Sequence, residues 1–194
     1  MAPRTKFTKT QIIEAALEIA RTEGLDNLTM RKIAKKMGSS VAPIYVNFKN
    51  MDDLMKALVD RIIGIGQQLL HEENTGNPFH DMGRASLRFA LEYSVLFRDL
   101  VMKKNSYMQS YDEKMTPVLI REMSNDPELE DFTTEELKTI LLKMKIFQLG
   151  ISVMAANGLL PRSYKKHDLL EMLSSAAQDV IVSARLSKEQ RRVV

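Results

Sequence analysis

Residues 29–50 read Thr29-Met30-Arg31-Lys32-Ile33-Ala34-Lys35-Lys36-Met37-Gly38-Ser39-Ser40-Val41-Ala42-Pro43-Ile44-Tyr45-Val46-Asn47-Phe48-Lys49-Asn50: two short apolar-periodic runs separated by a glycine and two serines. Thr29 is placed to accept from the free amides that open a helix, and Ile33, Ala34 and Met37 form its inward stripe. Gly38 supplies the left-handed residue that closes it. With Ser40 as the cap of the next helix, Pro43 falls in the first turn, where its missing amide costs nothing. Ile44 and Phe48, four apart, turn inward. Asn50 then caps a further helix that carries Asp52 and Asp53 in its first turn, where carboxylates suit the positive end of the dipole.

Working outward, Thr8 and Gln11 have capping-box spacing, and Ile12, Ile13, Ala16, Leu17, Ile19 and Ala20 recur at helical steps until Gly24. Leu25 and Leu28 bring apolar groups back toward that buried face. A helix, a tight turn and a very short second helix is the geometry of a helix-turn-helix, which presents the second helix to the DNA major groove. The compact residues Ser39, Ser40, Val41, Ala42 and Pro43 let the end of that helix approach base edges, with Ala42 or Pro43 suited to a thymine methyl. Arg31, Lys35, Lys36, Tyr45, Asn47 and Lys49 offer donors for phosphate, and Arg4, Lys6 and Lys9 form a basic arm. Residues 1–50 hold nine Lys/Arg against Glu14, Glu18, Glu23 and Asp26, whereas the chain as a whole is only +3. The same pattern also suits an ordinary three-helix packing unit with a basic surface.

The remaining residues read as helix throughout, after a polar connection near 71–78. One stripe is Met82, Ala85, Phe89, Tyr93, Leu96 and Leu100; others are Tyr107, Tyr111 and Met115, then Leu137, Leu141, Met144, Ile151 and Ala155, then Leu169, Met172, Leu173, Ala176 and Val180. Pro117, Pro127 and Pro161 mark irregularities or boundaries, and Asp126–Glu136 is a loop entering a helix at Thr133/Thr134. No run alternates at period two, so the expected class is all-α. The absence of cysteine from 194 residues removes disulfides and thiolate chemistry, and no signal peptide or membrane span is expected, which places the protein in the cytoplasm. His71, His80 and His167 have no paired ligand at helical spacing and read as surface or loop residues, so no metal and no cofactor is expected.

The stretch Leu28–Asn50 resembles the DNA-binding domain of the TetR family of bacterial transcriptional regulators: a capping Thr, an Ile-Ala pair, Gly at the turn, an Ile-Tyr pair and Phe before the next helix. The resemblance covers residues 8 to about 58. It implies that Thr29, Met30 and Arg31 touch phosphate or a base, that Val41, Ala42 and Pro43 read the groove, and that Tyr45, Asn47 and Lys49 hold phosphates. Ile33, Ala34, Ile44 and Phe48 fall at core positions. The chain departs from the pattern at Met51, where many members carry Lys, and at Ala42 and Pro43, where many carry Gly or a hydroxyl residue, which implies a different base preference.

The resulting expectation is an amino-terminal three-helix helix-turn-helix DNA-binding domain, 1–56, followed by a helical ligand-binding and dimerisation domain, 57–194. The family implies dimerisation through a four-helix bundle of the last two long helices. Small residues at Gly150, Ser152, Ala155 and Ala156 and at Ser174, Ser175, Ala176, Ala177 and Ala184 suit close helix approach, within one subunit or between two. Thirteen methionines are unusual. Phe89, Tyr93, Phe97, Met102, Tyr107, Met108, Tyr111, Met144 and Phe147 are the candidates for contact with a small apolar or amphipathic effector. The expected partners are a double-stranded DNA operator, a small-molecule effector and a second copy of the chain, with no membrane. The expected function is a ligand-responsive homodimeric transcriptional regulator, a repressor that binds a pseudo-palindromic operator and is released by the effector. The alternatives are a helical protein-interaction module without sequence-specific DNA binding and, with no nucleophile constellation or phosphate loop in sight, a helical enzyme.

Overall fold

The structure is a computed structural model that describes residues 7–104 and 106–193, without the side chains of Pro78, Ser106, Tyr107, Ser110, Lys114 and residues 191–193. Among the described residues every regular element is helical: α1 Lys9–Glu23, a 3-10 turn Leu25–Asn27, α2 Met30–Lys36, α3 Ala42–Asn47, α4 Met51–Glu72, α5 Pro78–Glu92, α6 Ser94–Phe97, a π turn Arg98–Met102, α7 Ser106–Ser124, α8 Thr134–Ala156 and α9 Lys166–Val193. They divide into two compact units, Met1–Gln67 with Tyr93–Met108, and Gln68–Glu92 with Gln109–Val194.

In the first unit α1 starts in a full capping box, the Thr8 hydroxyl accepting from the Gln11 amide at 3.2 Å while the Gln11 carbonyl accepts from the Thr8 amide at 2.9 Å. It ends at Gly24, whose φ of 90° and ψ of 164° lie in territory that only glycine occupies easily. Thr29 caps α2 by accepting from the Lys32 amide at 3.1 Å. That helix closes in a Schellman motif: the Ser39 amide donates to the Ala34 carbonyl at 2.9 Å and the Gly38 amide to Lys35 at 3.1 Å, with Gly38 at φ 64°. Asn50 caps α4 through the Asp53 amide at 2.9 Å, and the Asp53 carboxylate returns to the Lys49 amide at 3.1 Å. Ile12, Ala16, Ala20, Ile33, Ile44, Leu54 and Leu58 are almost fully buried and form the common core of these helices.

Ser40 does not cap α3. Val41 occupies that position with helical angles and no side-chain cap bond, while the Ser39 hydroxyl donates to the Ser40 carbonyl at 2.9 Å. The Schellman closure of α2 holds the chain up to Ser39, so the turn reaches its helical bend one residue later than the cap pattern suggests. Pro43 still falls in the first turn.

The expected stripe from Met82 to Leu100 is cut at Tyr93, whose φ of −130° and ψ of 44° interrupt the helix. The physical reason lies in what each half covers. Met82, Ala85 and Phe89 belong to the second unit, whereas residues 93–108 pack in the first, where the Arg21 guanidinium lies 4.7 Å from the Tyr93 ring centroid. Pro117, expected at an irregularity, is instead accommodated inside α7. It is exposed, so the carbonyl it leaves without an amide partner can be hydrated.

The core of the second unit includes Leu87 from α5, Met123 from α7, Leu129, Phe132, Leu137 and Ile140 around the start of α8, and Leu173, Ala177 and Ile181 from α9. Thr133 and Glu136 form the capping box of α8, and the outward side of this helix is unusually apolar, with Leu142, Ile146 and Met154 exposed. By length and composition α8 is the one helix among the described residues that could cross a membrane, but its other face packs against α5 and α9. Val182 and Leu186 are exposed on α9 as well. Ser152 and Ala177 are buried within the unit, so these two small residues serve packing inside the subunit, while Gly150 and Ser175 face out.

Arg88 binds three carboxylates of the second unit: Glu72 at 2.9 Å, Glu73 at 2.9 Å and Glu92 at 3.3 Å. Burial pushes the Glu73 carboxyl up, but hydrogen bonds from Arg84 and Arg88 outweigh it and hold the group below its ordinary range. His80 is not the surface or loop residue expected: it lies in the first turn of α5, edge-on to Phe79, with Nε2 buried and without a hydrogen-bond partner. His71 and His167 are exposed as expected but stand on helices, at the end of α4 and the start of α9.

Candidate functional site

The predicted nucleic-acid contacts converge on α2, α3 and the turn between them, within a single unit. Ala42, Tyr45 and Lys49 are exposed along the outer side of α3 and its end, while Val41 and Pro43 are half-buried. Thr29, Arg31 and Ser40 are exposed beside them. Tyr45 is 57% exposed, which a tyrosine packed for stability would not be.

Ion pairs sort the basic residues. Lys32 reaches Glu23 at 2.6 Å and Lys36 reaches Glu18 at 2.7 Å, so two of the cations of α2 are matched by α1. Arg31, Lys35 and Lys49 have no carboxylate partner among the described residues, and their charge is available to phosphate. Two predicted contacts are used for packing. Met30 is buried, and the Asn47 amide donates to the Phe7 carbonyl at 3.2 Å and the Pro43 carbonyl at 2.9 Å, tying the start of the chain to α3. Arg4 and Lys6 lie outside the described residues.

A helix whose end is closed by a Schellman turn, followed by a six-residue helix with an exposed outer side and unmatched cations on both flanks, has the geometry of a helix-turn-helix. Residues 12–58 match the family described as bacterial regulatory proteins, tetR family. The helix-turn-helix segment is thus similar to the amino-terminal domain of the TetR family. Among curated relatives it is 30% identical over 90 residues to an HTH-type transcriptional repressor of Streptomyces coeruleorubidus, 35% over 60 residues to a nicotine-responsive repressor of Paenarthrobacter nicotinovorans and 36% over 58 residues to the class D tetracycline repressor of Escherichia coli. These matches take in 46%, 31% and 30% of this chain and span only 30%, 29% and 27% of the relatives' own lengths. Among solved structures, a fatty acid degradation regulator of Bacillus halodurans superposes with a TM-score of 0.64 at 16% identity, over 92% of this chain and 97% of that one. The repressor of a Stenotrophomonas maltophilia multidrug efflux pump superposes at 0.59 with 18% identity, over 89% of this chain and 91% of that one. The fold of these two regulators thus extends over nearly the whole chain.

One exposed residue of α3 was not among the sequence candidates. Val46 is 85% exposed, the most exposed of the large apolar side chains among the described residues, and it follows Ala42 by one helical turn. The i, i+4 relation to Ala42 was the available signal.

The α1–α2 turn of the TetR-type unit is gripped from a distant stretch of sequence. The Asp99 carboxylate accepts from the Leu25 amide at 2.7 Å, and Lys103 pairs with both Asp99 at 2.7 Å and Asp26 at 2.6 Å. Hydrogen bonds that the Lys103 ammonium donates to Asp26 and Asp99 push it up from its ordinary pKa. A side chain at position 24 would put its Cβ 2.7 Å from the Asp99 carboxylate oxygen, a second reason for glycine there.

The predicted effector contacts divide between the units. Tyr93, Phe97, Met102 and Met108 fall in the first, with Phe97 buried in its core and Met102 exposed. Phe89, Tyr111, Met144 and Phe147 fall in the second, where Met144 is buried and Phe147 is on the surface. Burial and the neighbouring Asp112 push the Tyr111 hydroxyl up, so it remains a donor at neutral pH. The side chain of Tyr107 lies outside the described residues.

Proposed function

We propose that the protein is a transcriptional repressor that binds a pseudo-palindromic operator as a homodimer in the cytoplasm and is released by a small apolar or amphipathic effector. The observation that carries this reading is the exposed side of α3, with Tyr45, Val46 and Lys49 beside the unmatched Arg31 and Lys35. A two-fold dimer places two such helices in successive major grooves, roughly 34–36 Å apart, when its half-sites are one turn apart. The apolar outer sides of α8 and α9, with Ile146 and Leu186 among the most exposed large side chains, support a second copy of the chain as their partner.

Repression and release require only that effector and operator prefer different states of the dimer. The factor by which effector lowers operator affinity equals the factor by which operator lowers effector affinity. No catalytic step enters the reading.

Selection of genomic fragments by the purified protein at near-physiological salt tests it. An inverted repeat is the expected product, with affinity falling steeply as salt rises because several cations displace condensed counterions. Recovery of no motif by folded, dimeric protein overturns the reading.

A further inference from the structure

Within the second unit, the last turn of α4, the residues after it, the first turn of α5 and the middle of α7 enclose an open cavity of about 410 Å³. That volume lies in the range of small-molecule sites. Its apolar wall includes Met82, Met115 and Leu119, and none of the effector contacts expected from sequence lines it. Its polar residues include three carboxylates, Glu73, Asp81 and Glu122, and no Lys or Arg.

The three carboxylates are not equivalent. Glu73 is matched by Arg84 at 2.7 Å and Arg88 at 2.9 Å. Asp81 is 8% exposed and accepts only neutral donors, the Thr75 amide at 3.1 Å and the Thr75 hydroxyl at 2.6 Å. It has no cationic partner among the described residues. Glu122 pairs with Arg121 at 3.7 Å, an exposed pair of little strength. Two carboxylates therefore border an apolar cavity, Asp81 with no cation among the described residues and Glu122 with only that weak pair. An anion entering it would lose hydration and meet repulsion, whereas an ammonium would be attracted to both. Methionines beside them adapt to varied apolar shapes.

We propose that this cavity is the effector site and takes an amphiphilic organic cation, its charged end at Asp81 and Glu122 and its alkyl or aryl body against Met82, Met115 and Leu119. The assignment rests on the ligand-responsive reading above and adds the place and charge of the ligand.

Titration calorimetry of the full-length protein with octylammonium, octanol and octanoate, below their aggregation concentrations, separates charge from apolar burial because the three share one tail. Octylammonium is expected to bind saturably, at least tenfold more tightly than octanol, and octanoate not at all. Glu122→Gln, at an exposed side chain whose replacement leaves the fold intact, is expected to weaken octylammonium at least fivefold and to leave octanol unchanged; Asp81→Asn is expected to do the same. Equal or tighter binding of octanoate, equal binding of octanol, or indifference to both substitutions overturns the proposal. Operator retention by the same preparation is read in parallel. Retention without amine binding overturns the cavity assignment alone, whereas amine binding by protein that retains no operator supports the cavity and removes the repressor reading.

Discussion

Lys49 and Val46 stand three positions apart in the second half of the helix-turn-helix but serve different physical terms. Lys49 supplies a charge with no carboxylate partner among the described residues, so Lys49→Ala is expected to weaken binding to every DNA sequence and to reduce the slope of log affinity against log salt by about one. Tyr45→Phe is likewise expected to lower affinity without changing preference. Val46 supplies an exposed apolar surface, as Ala42 does one turn earlier, so Val46→Ala and Ala42→Ser are expected to change which bases are retained in a selection. In the second unit loss of Arg88 is costly, because Glu73 is buried beside it. Arg88→Met is expected to destabilise by about 2 kcal/mol in chemical unfolding, chiefly by leaving that carboxylate short of a partner. Glu73 and Glu92 are held below their ordinary pKa of 4.5 in the fold, Glu92 by Lys166 first. Their contribution is complete above the unfolded value and is lost as pH falls through the folded one, so the wild-type melting temperature should drop below pH 4.5 more steeply than that of Arg88→Met.

At the scale of elements, the caps were legible because each is a local rule with its partner three or four residues away. Thr8 with Gln11, Thr29 with Lys32, Asn50 with Asp53 and Thr133 with Glu136 all stand where their spacing places them. Gly38→Ala forces a Cβ into the left-handed region and is expected to destabilise the first unit by about 1 kcal/mol, read by thermal unfolding, with operator affinity falling as the turn loosens. The α1–α2 turn is the opposite case: its partner, Asp99, is 74 residues away from Leu25. Asp99→Ala leaves the Leu25 amide unsatisfied and removes one of the two carboxylates paired with Lys103, and is expected to cost about 1–3 kcal/mol, seen as faster exchange of the Leu25 amide proton. No periodicity announces such a bond. For the same reason the break at Tyr93 was not readable: its neighbours continue the apolar period, and only the Arg21 contact and the division of the stripe between two units account for it.

For the whole molecule, the homodimer proposed above rests on the apolar outer sides of α8 and α9. Ile146→Glu combined with Leu186→Glu is expected to give a monomer by sedimentation, with a folded second unit but operator affinity reduced at least a hundredfold, because two half-sites no longer bind as one. A dimer that persists in this variant would place the interface elsewhere.

The sequence by itself determined the helical class, the helix-turn-helix, most of the caps, and the inward Ile44 and Phe48. Each depends on backbone preference and on a repeat of three or four residues, which a linear string records. Tertiary structure decided which polar groups remain available. Asn47 turned inward to the Phe7 and Pro43 carbonyls, Lys32 and Lys36 were matched by α1, and Met30 was buried. It also placed Glu73, Asp81 and Glu122 around one cavity although they are separated by up to 49 positions in the chain. Charge matching and cavity walls depend on distances through space between residues far apart in sequence, and those distances exist only once the helices have packed.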